Sequence, residues 1–234
     1  MVKNSLSIIC FIFLLGMVLF FPSSCSKDSA TSTVVPGTSV TDSEGHVYNT
    51  VTIGSQTWMA ENLRSIKLND GTQIPYVVNR TTWSNLTTPA YSYYADDSVT
   101  YKTKAGALYN WYTVDTKKLC PTGWHVPSDA DWVTLQTYLG TDSLAGGKLK
   151  EAATYHWYSP NLYATNSTGF TAIPCGYRFY NGSYNNYGFS GNWWTATSYS
   201  TPFSWYRYLS YTSGAIGKNY YDKVYGFSVR CIKN

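Results

Sequence analysis

Residues 120–140 constrain the fold more than any other stretch, because they encode a helix whose two ends are both marked. Ser128 is a favoured N-cap, and Asp131 three residues later completes a capping box. Gly140 favours the end of a helix. Between these ends, apolar residues recur at helical spacing and form one stripe, which consists of Trp132, Leu135 and Leu139. The sequence therefore predicts one well-defined helix, around which the core of a globular domain forms.

The remainder of the chain is dominated by strand patterns. Residues 47–53 and 56–60 alternate on either side of a glycine-serine turn and predict a β-hairpin. Residues 145–153 predict a second, shorter helix, and residues 76–100 predict loops and short strands. Further strands are expected at residues 170–173, 191–197, 205–211 and 227–232. The fold class predicted from these patterns is α+β, rich in strands and loops.

The composition excludes some classes of partner. Only 13% of the 234 residues are charged, 18% are aromatic, and the net charge is +4. Because the positive charges are not clustered, nucleic acid is not an expected partner. A surface built from Tyr, Ser, Thr, Asn and Gly suits contact with polar ligands, although it also suits any secreted β-rich protein.

The first thirty residues have the features of a targeting segment. Lys3 precedes an apolar run over residues 6–21, which is shorter than the ~20 residues of a membrane-spanning helix. Small residues then precede Cys25, and this arrangement resembles the bacterial lipoprotein signal, in which the cysteine is lipidated. The alternative is an ordinary cleavage site with an incidental cysteine. The predicted organisation is a signal peptide over residues 1–24, a flexible tether over residues 25–40 and one domain over residues 41–234.

The residues that follow Cys25 bear on location. Ser26, Lys27 and Asp28 resemble the short charged tag that sends lipoproteins of Bacteroidota to the cell surface. We therefore expect an outer-membrane lipoprotein that is exposed at the cell surface. Its contact with the membrane is expected to be made through the lipid anchor only.

The five cysteines separate by position. Cys10 lies in the predicted signal peptide, and Cys25 is the expected site of the lipid. Cys120 and Cys231 bracket the half of the domain that contains the predicted helix and the final strands, and they are expected to pair in an oxidising compartment. Closing a loop of about 110 residues would stabilise the fold by roughly 4–5 kcal/mol on the chain-entropy estimate. Cys175 is left over, either as a nucleophile or metal ligand or as a small buried thiol. The absence of helper residues at known spacing favours the buried thiol.

Five segments resemble the Fibrobacter succinogenes major paralogous domain, a family of secreted and surface proteins. They span nearly all of the mature chain and are residues 53–63 (IGSQTWMAENL), 106–111 (GALYNW), 120–127 (CPTGWHVP), 169–174 (GFTAIP) and 225–231 (YGFSVRC). Where Cys175 follows Pro174, the family usually has Gly or Ala. This departure favours a Cys175 without a family role.

The family is similar to C-type lectin-like folds, so the resemblance implies two helices around a small, irregular antiparallel sheet. The pairing of Cys120 with Cys231 resembles the long disulfide of that fold. The Glu-Pro-Asn and Gln-Pro-Asp tripeptides with which sugar-binding C-type lectins hold calcium are absent from the sequence. A related fold houses the formylglycine-generating enzymes, but Cys175 alone does not reproduce their pair of cysteines.

The sequence contains no recognisable catalytic or metal-binding constellation. The three histidines, His46, His125 and His156, are not at metal-ligand spacing. We interpret His125 as a structural residue of the loop that enters the predicted helix. No nucleophile elbow or phosphate loop is present. We therefore expect a protein that is not an enzyme and that needs neither a cofactor nor a metal.

The aromatic second half of the domain indicates binding instead. The candidate ligand-binding residues are Trp194, Trp205, Tyr206, Tyr208, Tyr220 and Tyr221. Strand alternation places Tyr206 and Tyr208 on the face opposite Leu209, where we expect them to be solvent-exposed stacking partners. Because neighbours in a strand face opposite ways, one of Trp193 and Trp194 is expected to be exposed or to lie under a loop.

The expected function is that of a surface-anchored module that binds a glycan or a surface protein without metal and without catalysis. One alternative is a structural or assembly subunit of a cell-surface complex. The other, less favoured, is an enzyme with the formylglycine-generating type of fold. A flat exposed aromatic face would favour binding, whereas an apolar groove open to a donated strand would favour assembly.

Overall fold

The structure is a computed structural model that describes residues 38–140 and 143–234. The predicted signal peptide, the predicted lipid-attachment residue Cys25 and all but the end of the predicted tether lie outside the described residues. Within the described residues, no helix combines the length and the apolar character needed to cross a membrane.

The described residues form four α-helices and thirteen strands. The helices are α1 (Arg80–Ser84), α2 (Ser98–Ala105), α3 (Trp111–Asp115) and α4 (Asp129–Leu139). The strands are β1 (Val40–Thr41), β2 (Val47–Tyr48), β3 (Thr50–Ile53), β4 (Gln56–Met59), β5 (Tyr91–Ser92), β6 (Leu108–Tyr109), β7 (Trp124–His125), β8 (Cys175–Arg178), β9 (Tyr184–Tyr187), β10 (Ser190–Ser198), β11 (Phe203–Ser210), β12 (Gly217–Asp222) and β13 (Ile232–Lys233). This part of the chain is β-rich with few helices, which is compatible with the predicted α+β class.

Helix α4 forms where the sequence predicts it. The Ser128 hydroxyl accepts the backbone N–H of Asp131, and the Asp131 carboxylate accepts the backbone N–H of Ser128, so the capping box is complete. Gly140 ends the helix with a φ of 99°, which glycine adopts without steric cost. The predicted stripe is buried along its whole length, at Trp132, Leu135 and Leu139. The prediction for this helix is confirmed.

Two sheets contain most of the described strands. The larger has five strands in the order β12-β11-β10-β8-β9, and its neighbours are antiparallel except for β10 and β8, which are parallel. The smaller has four strands in the order β3-β4-β13-β7, and it joins the predicted hairpin β3-β4 to the last strand of the chain. The remaining pairs, β1-β2 and β5-β6, are two-stranded.

The five-stranded sheet lies between two hydrophobic clusters. Trp193 packs in the cluster that contains Trp132 of α4, whereas Trp194 packs in the cluster that contains Phe227. Both indoles are buried, with 1% and 0% of the residue surface exposed. The two indoles lie on opposite sides of the sheet, as the alternation predicts, and neither is exposed, because the sheet is covered on both faces at this position.

Cys120 and Cys231 form the predicted disulfide, which closes a loop of 111 residues. The bond ties the segment that precedes α4 to the end of the chain. Cys175 is the free cysteine of the described residues, and it is buried. The predicted pairing is confirmed, and so is the prediction that the third cysteine of the domain is a buried thiol.

The predicted helix at residues 145–153 is wrong. The described part of this region begins with turns over residues 143–149. Gly147 packs so closely against the backbone of Tyr163 that a Cβ at this position would clash. The Gly147 N–H also donates to the carbonyl of Gly214 at 2.9 Å. Contacts with distant parts of the chain therefore hold this segment in a non-helical path.

Lys150 anchors the same region. Its side chain is buried, and its ammonium donates at 2.7–2.9 Å to three backbone carbonyls, those of Leu162, Ser210 and Ser213. Burial lowers the pKa of Lys150 to about 8. The strand predicted at residues 170–173 is also wrong, because this stretch contributes only an isolated bridge between Ala172 and Lys150.

Helices α1 and α2 lie where the sequence predicts loops and short strands. Each begins at a side-chain cap, since Asn79 accepts the N–H of Thr82 and Asp97 accepts the N–H of Thr100. Each also buries a single residue, Trp83 in α1 and Ala105 in α2. Periodic burial is the main sequence signal for a helix, so neither helix could be found from its pattern.

Candidate functional site

One face of the five-stranded sheet collects aromatic side chains from neighbouring strands. Residues directly opposite each other on paired strands place their side chains on the same face. The pairs on this face are Trp194 with Tyr206, Asn192 with Tyr208, and Ser204 with Tyr221. We call it the open face. The other side, which carries Trp193, Arg207 and Leu209 and packs on α4, is the closed face.

A groove of about 380 Å³ lies on the open face. None of its lining residues is charged, and the tyrosines among them are Tyr177, Tyr206, Tyr208, Tyr211 and Tyr221. Two asparagines, two serines and Phe189 complete the lining. We call this cavity the tyrosine groove. Its volume is at the lower end of the range for small-molecule sites.

The rings in the tyrosine groove pack on one another. Tyr206 and Tyr221 stack with 5.3 Å between ring centroids and 12° between planes. Tyr221 also stacks on Tyr225, at 4.4 Å and 3°. Phe227, which belongs to the core, lies 4.6 Å from Tyr206. The wall of the groove is therefore a packed aromatic layer and not a set of independent side chains.

Tyr208 and Asn192 lie opposite each other on β11 and β10. The ring of Tyr208 covers Gly217 of β12, where an added Cβ would clash with it. The Asn192 amide donates to the carbonyl of Gly176 at 3.2 Å and to the hydroxyl of Ser190 at 2.9 Å. Both side chains are thus held in place by contacts with the sheet itself.

The phenol hydroxyls of the groove are not bonded to other described residues. This holds for Tyr177, Tyr206, Tyr208 and Tyr221. Tyr206 is only 6% exposed, but its hydroxyl is not a fully enclosed atom, so it reaches the solvent in the groove. Burial raises the pKa of Tyr206, and the nearby phenols of Tyr221, Tyr208 and Tyr177 raise it further. The Tyr206 hydroxyl is therefore neutral near pH 7 and able to bond a ligand.

The structure separates the six predicted ligand-binding residues. Tyr206, Tyr208 and Tyr221 line the tyrosine groove. Trp194 is buried behind them, and its indole N–H donates to the carbonyl of Tyr109 at 2.8 Å. Trp194 therefore supports the groove from the core and does not line it.

Trp205 and Tyr220 belong to a second aromatic group on the other side of the sheet. Tyr199 stacks on Tyr220 at 4.1 Å, and Trp205 packs against both rings. Tyr199 and Tyr220 are 47% and 39% exposed, and the Lys218 ammonium lies 4.0 Å from the centroid of the Trp205 ring. We call these residues the edge cluster, because β12 is the outer strand of the sheet.

The expectation that Tyr206 is an exposed stacking partner is wrong. Strand alternation assigned the correct face to Tyr206 and Tyr208, but Tyr221 and Phe227 cover the Tyr206 ring. Tyr208 is partly buried. The two residues therefore share a face without sharing the exposure that the sequence predicts.

The sequence reasoning missed seven of the ten groove residues, and two of them show why. Asn192 could have been found, because it alternates with Trp194 along β10 and so shares the face of the predicted candidates. Tyr177 could not, because it reaches the groove through the parallel pairing of β8 with β10. No local pattern predicts which distant strand becomes a neighbour.

Each histidine lies beside a carboxylate, although no sequence spacing indicates it. His125 Nδ1 is 2.7 Å from the side-chain oxygen of Asn234, and Nε2 is 3.3 Å from the carboxylate of Asp131. These contacts agree with a structural role at the entry to α4. His156 Nδ1 is 3.0 Å from the carboxylate of Glu151.

The third histidine, His46, forms a group with Asp42 and Glu44, and this is the one potential set of metal ligands in the described residues. Asp42 accepts the hydroxyl of Tyr48 at 2.7 Å and the backbone N–H groups of Glu44 and His46. Glu44 accepts the hydroxyl of Ser65 at 2.8 Å. The protein therefore already engages oxygens of both carboxylates in hydrogen bonds.

Cys175 lies beside a buried polar hub formed by Asn62. The amide nitrogen of Asn62 is 3.1 Å from the sulfur, and its oxygen accepts N–H groups of Trp193 and Arg230 at 2.9 Å. Burial raises the pKa of the Cys175 thiol to about 12. Because the thiolate is the reactive form, this cysteine is not an activated nucleophile.

The fold and the groove define a β-rich domain with an uncharged, tyrosine-lined cavity on one sheet face. The family model described as Fibrobacter succinogenes major domain matches residues 51–233. The chain therefore belongs to the Fibrobacter succinogenes major domain family. No curated protein and no solved structure matches the chain. Membership of the family does not by itself assign an activity.

Proposed function

We propose that this protein is a surface-anchored lipoprotein whose domain binds a glycan or a partner protein in the tyrosine groove. The observation that carries this proposal is the combination of a cavity of about 380 Å³ with a lining of uncharged aromatic and polar side chains. Tyrosine, serine and asparagine make adaptable contacts with polar ligands at a low cost in side-chain entropy. Such a lining in a concave surface is typical of a binding site.

The same proposal makes the domain non-catalytic and independent of metal. The raised pKa of the buried Cys175 thiol, about 12, supports the absence of a cysteine nucleophile. The hydrogen bonds that Tyr48 donates to Asp42 and Ser65 donates to Glu44 support a structural role for these two carboxylates. Ligand binding is therefore expected to survive a chelator.

We propose a C-type lectin-like fold as the finer description of the domain. Helix α4 follows Cys120 after the short strand β7, and the disulfide from Cys120 to Cys231 spans 111 residues. The last strand, β13, pairs with β4 near the start of the domain. A long disulfide and adjoining terminal strands support this description, which an experimental structure compared with that fold class would test.

Anchoring through Cys25 and exposure at the cell surface complete the proposal. They rest on the sequence, since Cys25 follows a short apolar run and small residues. Cys25→Ala is expected to abolish incorporation of radiolabelled palmitate and to release the protein from membranes. Cys175→Ala is the control and should incorporate the label normally. Equal labelling of Cys25→Ala and the wild type would contradict the anchor.

An array of immobilised glycans tests the binding proposal. The purified protein is expected to bind a subset of the glycans, and EDTA should leave the binding unchanged. Tyr208→Ala should weaken capture, because Tyr208 lines the groove. Tyr199→Ala is the matched control in the edge cluster and should bind like the wild type. Loss of capture in Tyr199→Ala alone would move the site to the other side of the sheet.

A second candidate function, assembly with other subunits, is favoured by strand β12. It is the outer strand of the five-stranded sheet and carries the exposed Tyr220. An unpaired strand edge is a template for strand addition. Sedimentation of the purified protein tests this candidate, and self-association that Lys218→Pro abolishes would support it. The candidate would be contradicted if the protein stayed monomeric at all accessible concentrations and bound no peptide added as an extra strand.

A further inference from the structure

The stacking of the groove tyrosines limits what their rings can offer to a ligand. Tyr221 stacks on both Tyr206 and Tyr225, with 12° and 3° between the planes. Tyr206 also packs on Phe227, with 4.6 Å between centroids. Stacked aromatic rings engage each other through their flat faces. The faces of Tyr206 and Tyr221 are therefore occupied by other rings of the protein.

A ring whose faces are covered still presents its edge and its hydroxyl. The hydroxyls of Tyr177, Tyr206, Tyr208 and Tyr221 have no hydrogen-bond partner among the described residues. They are also close together, because all four residues line the same groove of about 380 Å³. Polar groups of a folded protein are almost always bonded to protein, water or ligand. The groove thus presents hydrogen-bond donors and acceptors that are not used within the protein.

We propose that the tyrosine groove recognises an uncharged glycan through these phenol hydroxyls, and not by stacking of sugar rings on Tyr206 or Tyr221. Tyr206 is the specificity-determining residue, because its ring is fixed by Tyr221 and Phe227 while its hydroxyl reaches the groove. The inference rests on the proposed function, since it takes the groove as the ligand site. It adds the chemical class of the ligand and the mode of contact.

The uncharged class of the ligand follows from the lining. No lining residue is charged, so a carboxylate or sulfate that entered would lose water without gaining a cation. Burial of an unpaired charge is strongly unfavourable. A ligand without hydrogen-bonding groups would leave the phenols unbonded, which is also unfavourable. A sugar with several hydroxyls and no charge satisfies both conditions.

Tyr→Phe substitutions separate hydroxyl recognition from ring stacking, because they remove the hydroxyl and keep the ring. The probes are uncharged oligosaccharides (maltohexaose, cellohexaose and mannohexaose) and a carboxylated one (hexagalacturonate), each titrated calorimetrically into the full protein. We expect binding of an uncharged probe and weaker or no binding of hexagalacturonate. Tyr206→Phe should weaken binding about tenfold, as the loss of a buried hydrogen bond does.

Two further variants make the result decisive. Tyr208→Phe and the double variant Tyr206→Phe with Tyr208→Phe should weaken binding progressively, while melting temperatures stay close to that of the wild type. Tyr220→Phe, in the edge cluster, is the matched control and should bind normally. If the groove variants bind like the wild type, recognition by hydroxyls is wrong although the proposed function stands. Tighter binding of hexagalacturonate would also overturn the inference. The proposed function itself fails if the wild type binds none of these probes, no glycan on the array and no partner protein.

Discussion

The two faces of the five-stranded sheet differ in how their polar groups are satisfied. On the closed face, Arg207 donates to Asp129 at 2.6 and 3.1 Å and to Gln136 at 3.3 Å. On the open face, the hydroxyls of Tyr206 and Tyr208 have no partner among the described residues. Both faces are rich in aromatic rings, but only the closed face carries charge at its centre.

The difference explains why we place the proposed ligand site on the open face. A buried polar atom without a partner costs roughly 1–3 kcal/mol, and Arg207, on the face covered by α4, avoids this cost by donating to Asp129. The open face is in contact with water, which satisfies the phenols at little cost until a ligand replaces it. The face that is open to solvent is therefore also the face whose phenol hydroxyls are not bonded within the protein.

The largest expected effect comes from removing an indole of the closed face. Trp193 is buried against Trp132 and Phe170, and its N–H donates to Asn62 at 2.9 Å. Trp193→Ala should lower the free energy of unfolding by about 3–5 kcal/mol. Tyr208→Ala, on the open face, should cost only about 1 kcal/mol, because its ring is partly exposed. Urea denaturation measures both, and equal losses would contradict the contrast between the faces.

The next effect comes from the charge pair of the closed face. Arg207 is buried and bonded to Asp129. Arg207→Met should lower the free energy of unfolding by about 2–3 kcal/mol, because it leaves a partly buried carboxylate with less compensation. Lys218→Met is the control, since Lys218 also pairs with Asp129 but is more exposed, and it should cost less than about 1 kcal/mol. If Lys218→Met lost more stability than Arg207→Met, Lys218 and not Arg207 would be the main partner of Asp129.

The loss of stability in acid should depend on Asp129, which pairs with Arg207 of the closed face. Burial alone would raise the pKa of Asp129, but hydrogen bonds from Lys218 and Arg207 outweigh it and hold the pKa below its usual range. The stabilisation is therefore complete above the unfolded pKa of about 3.9 and is lost as the pH falls below it. Asp129→Asn should be less stable at pH 7 and should lose less stability on acidification. Urea midpoints between pH 6 and pH 2 test this, and parallel curves would contradict it.

The smallest effect is expected in alkali and belongs to the open face. Burial raises the pKa of Tyr206 above its ordinary value. Because the phenol then ionises more readily in the unfolded chain, stability should fall as the pH rises above about 10. Tyr206→Phe should remove this contribution and gain about 1 kcal/mol over the wild type at pH 11. The same loss in both proteins between pH 9 and pH 11 would show that Tyr206 titrates as it does in the unfolded state.

The sequence by itself determined the features whose causes lie within a few residues. Ser128, Asp131 and Gly140 mark both ends of α4, and alternation marks the hairpin β3-β4. The bond between Cys120 and Cys231 could be predicted because Cys120 opens the segment of α4 and strand alternation places Cys231 on the core face, and the structure contains this bond. The five family segments were sufficient for the family.

Only the tertiary structure decided which aromatic rings are covered. Alternation assigned Tyr206 and Tyr208 to one face. It could not show that Phe227, twenty-one residues further along, packs on the ring of Tyr206 and not on that of Tyr208. It placed Trp193 and Trp194 on opposite faces without showing that each face has its own core cluster. A strand's period fixes the direction of a side chain, whereas its exposure depends on what distant segments pack there. The tyrosine groove exists because β8 and β12 flank β10 and β11, and no local pattern contains that arrangement.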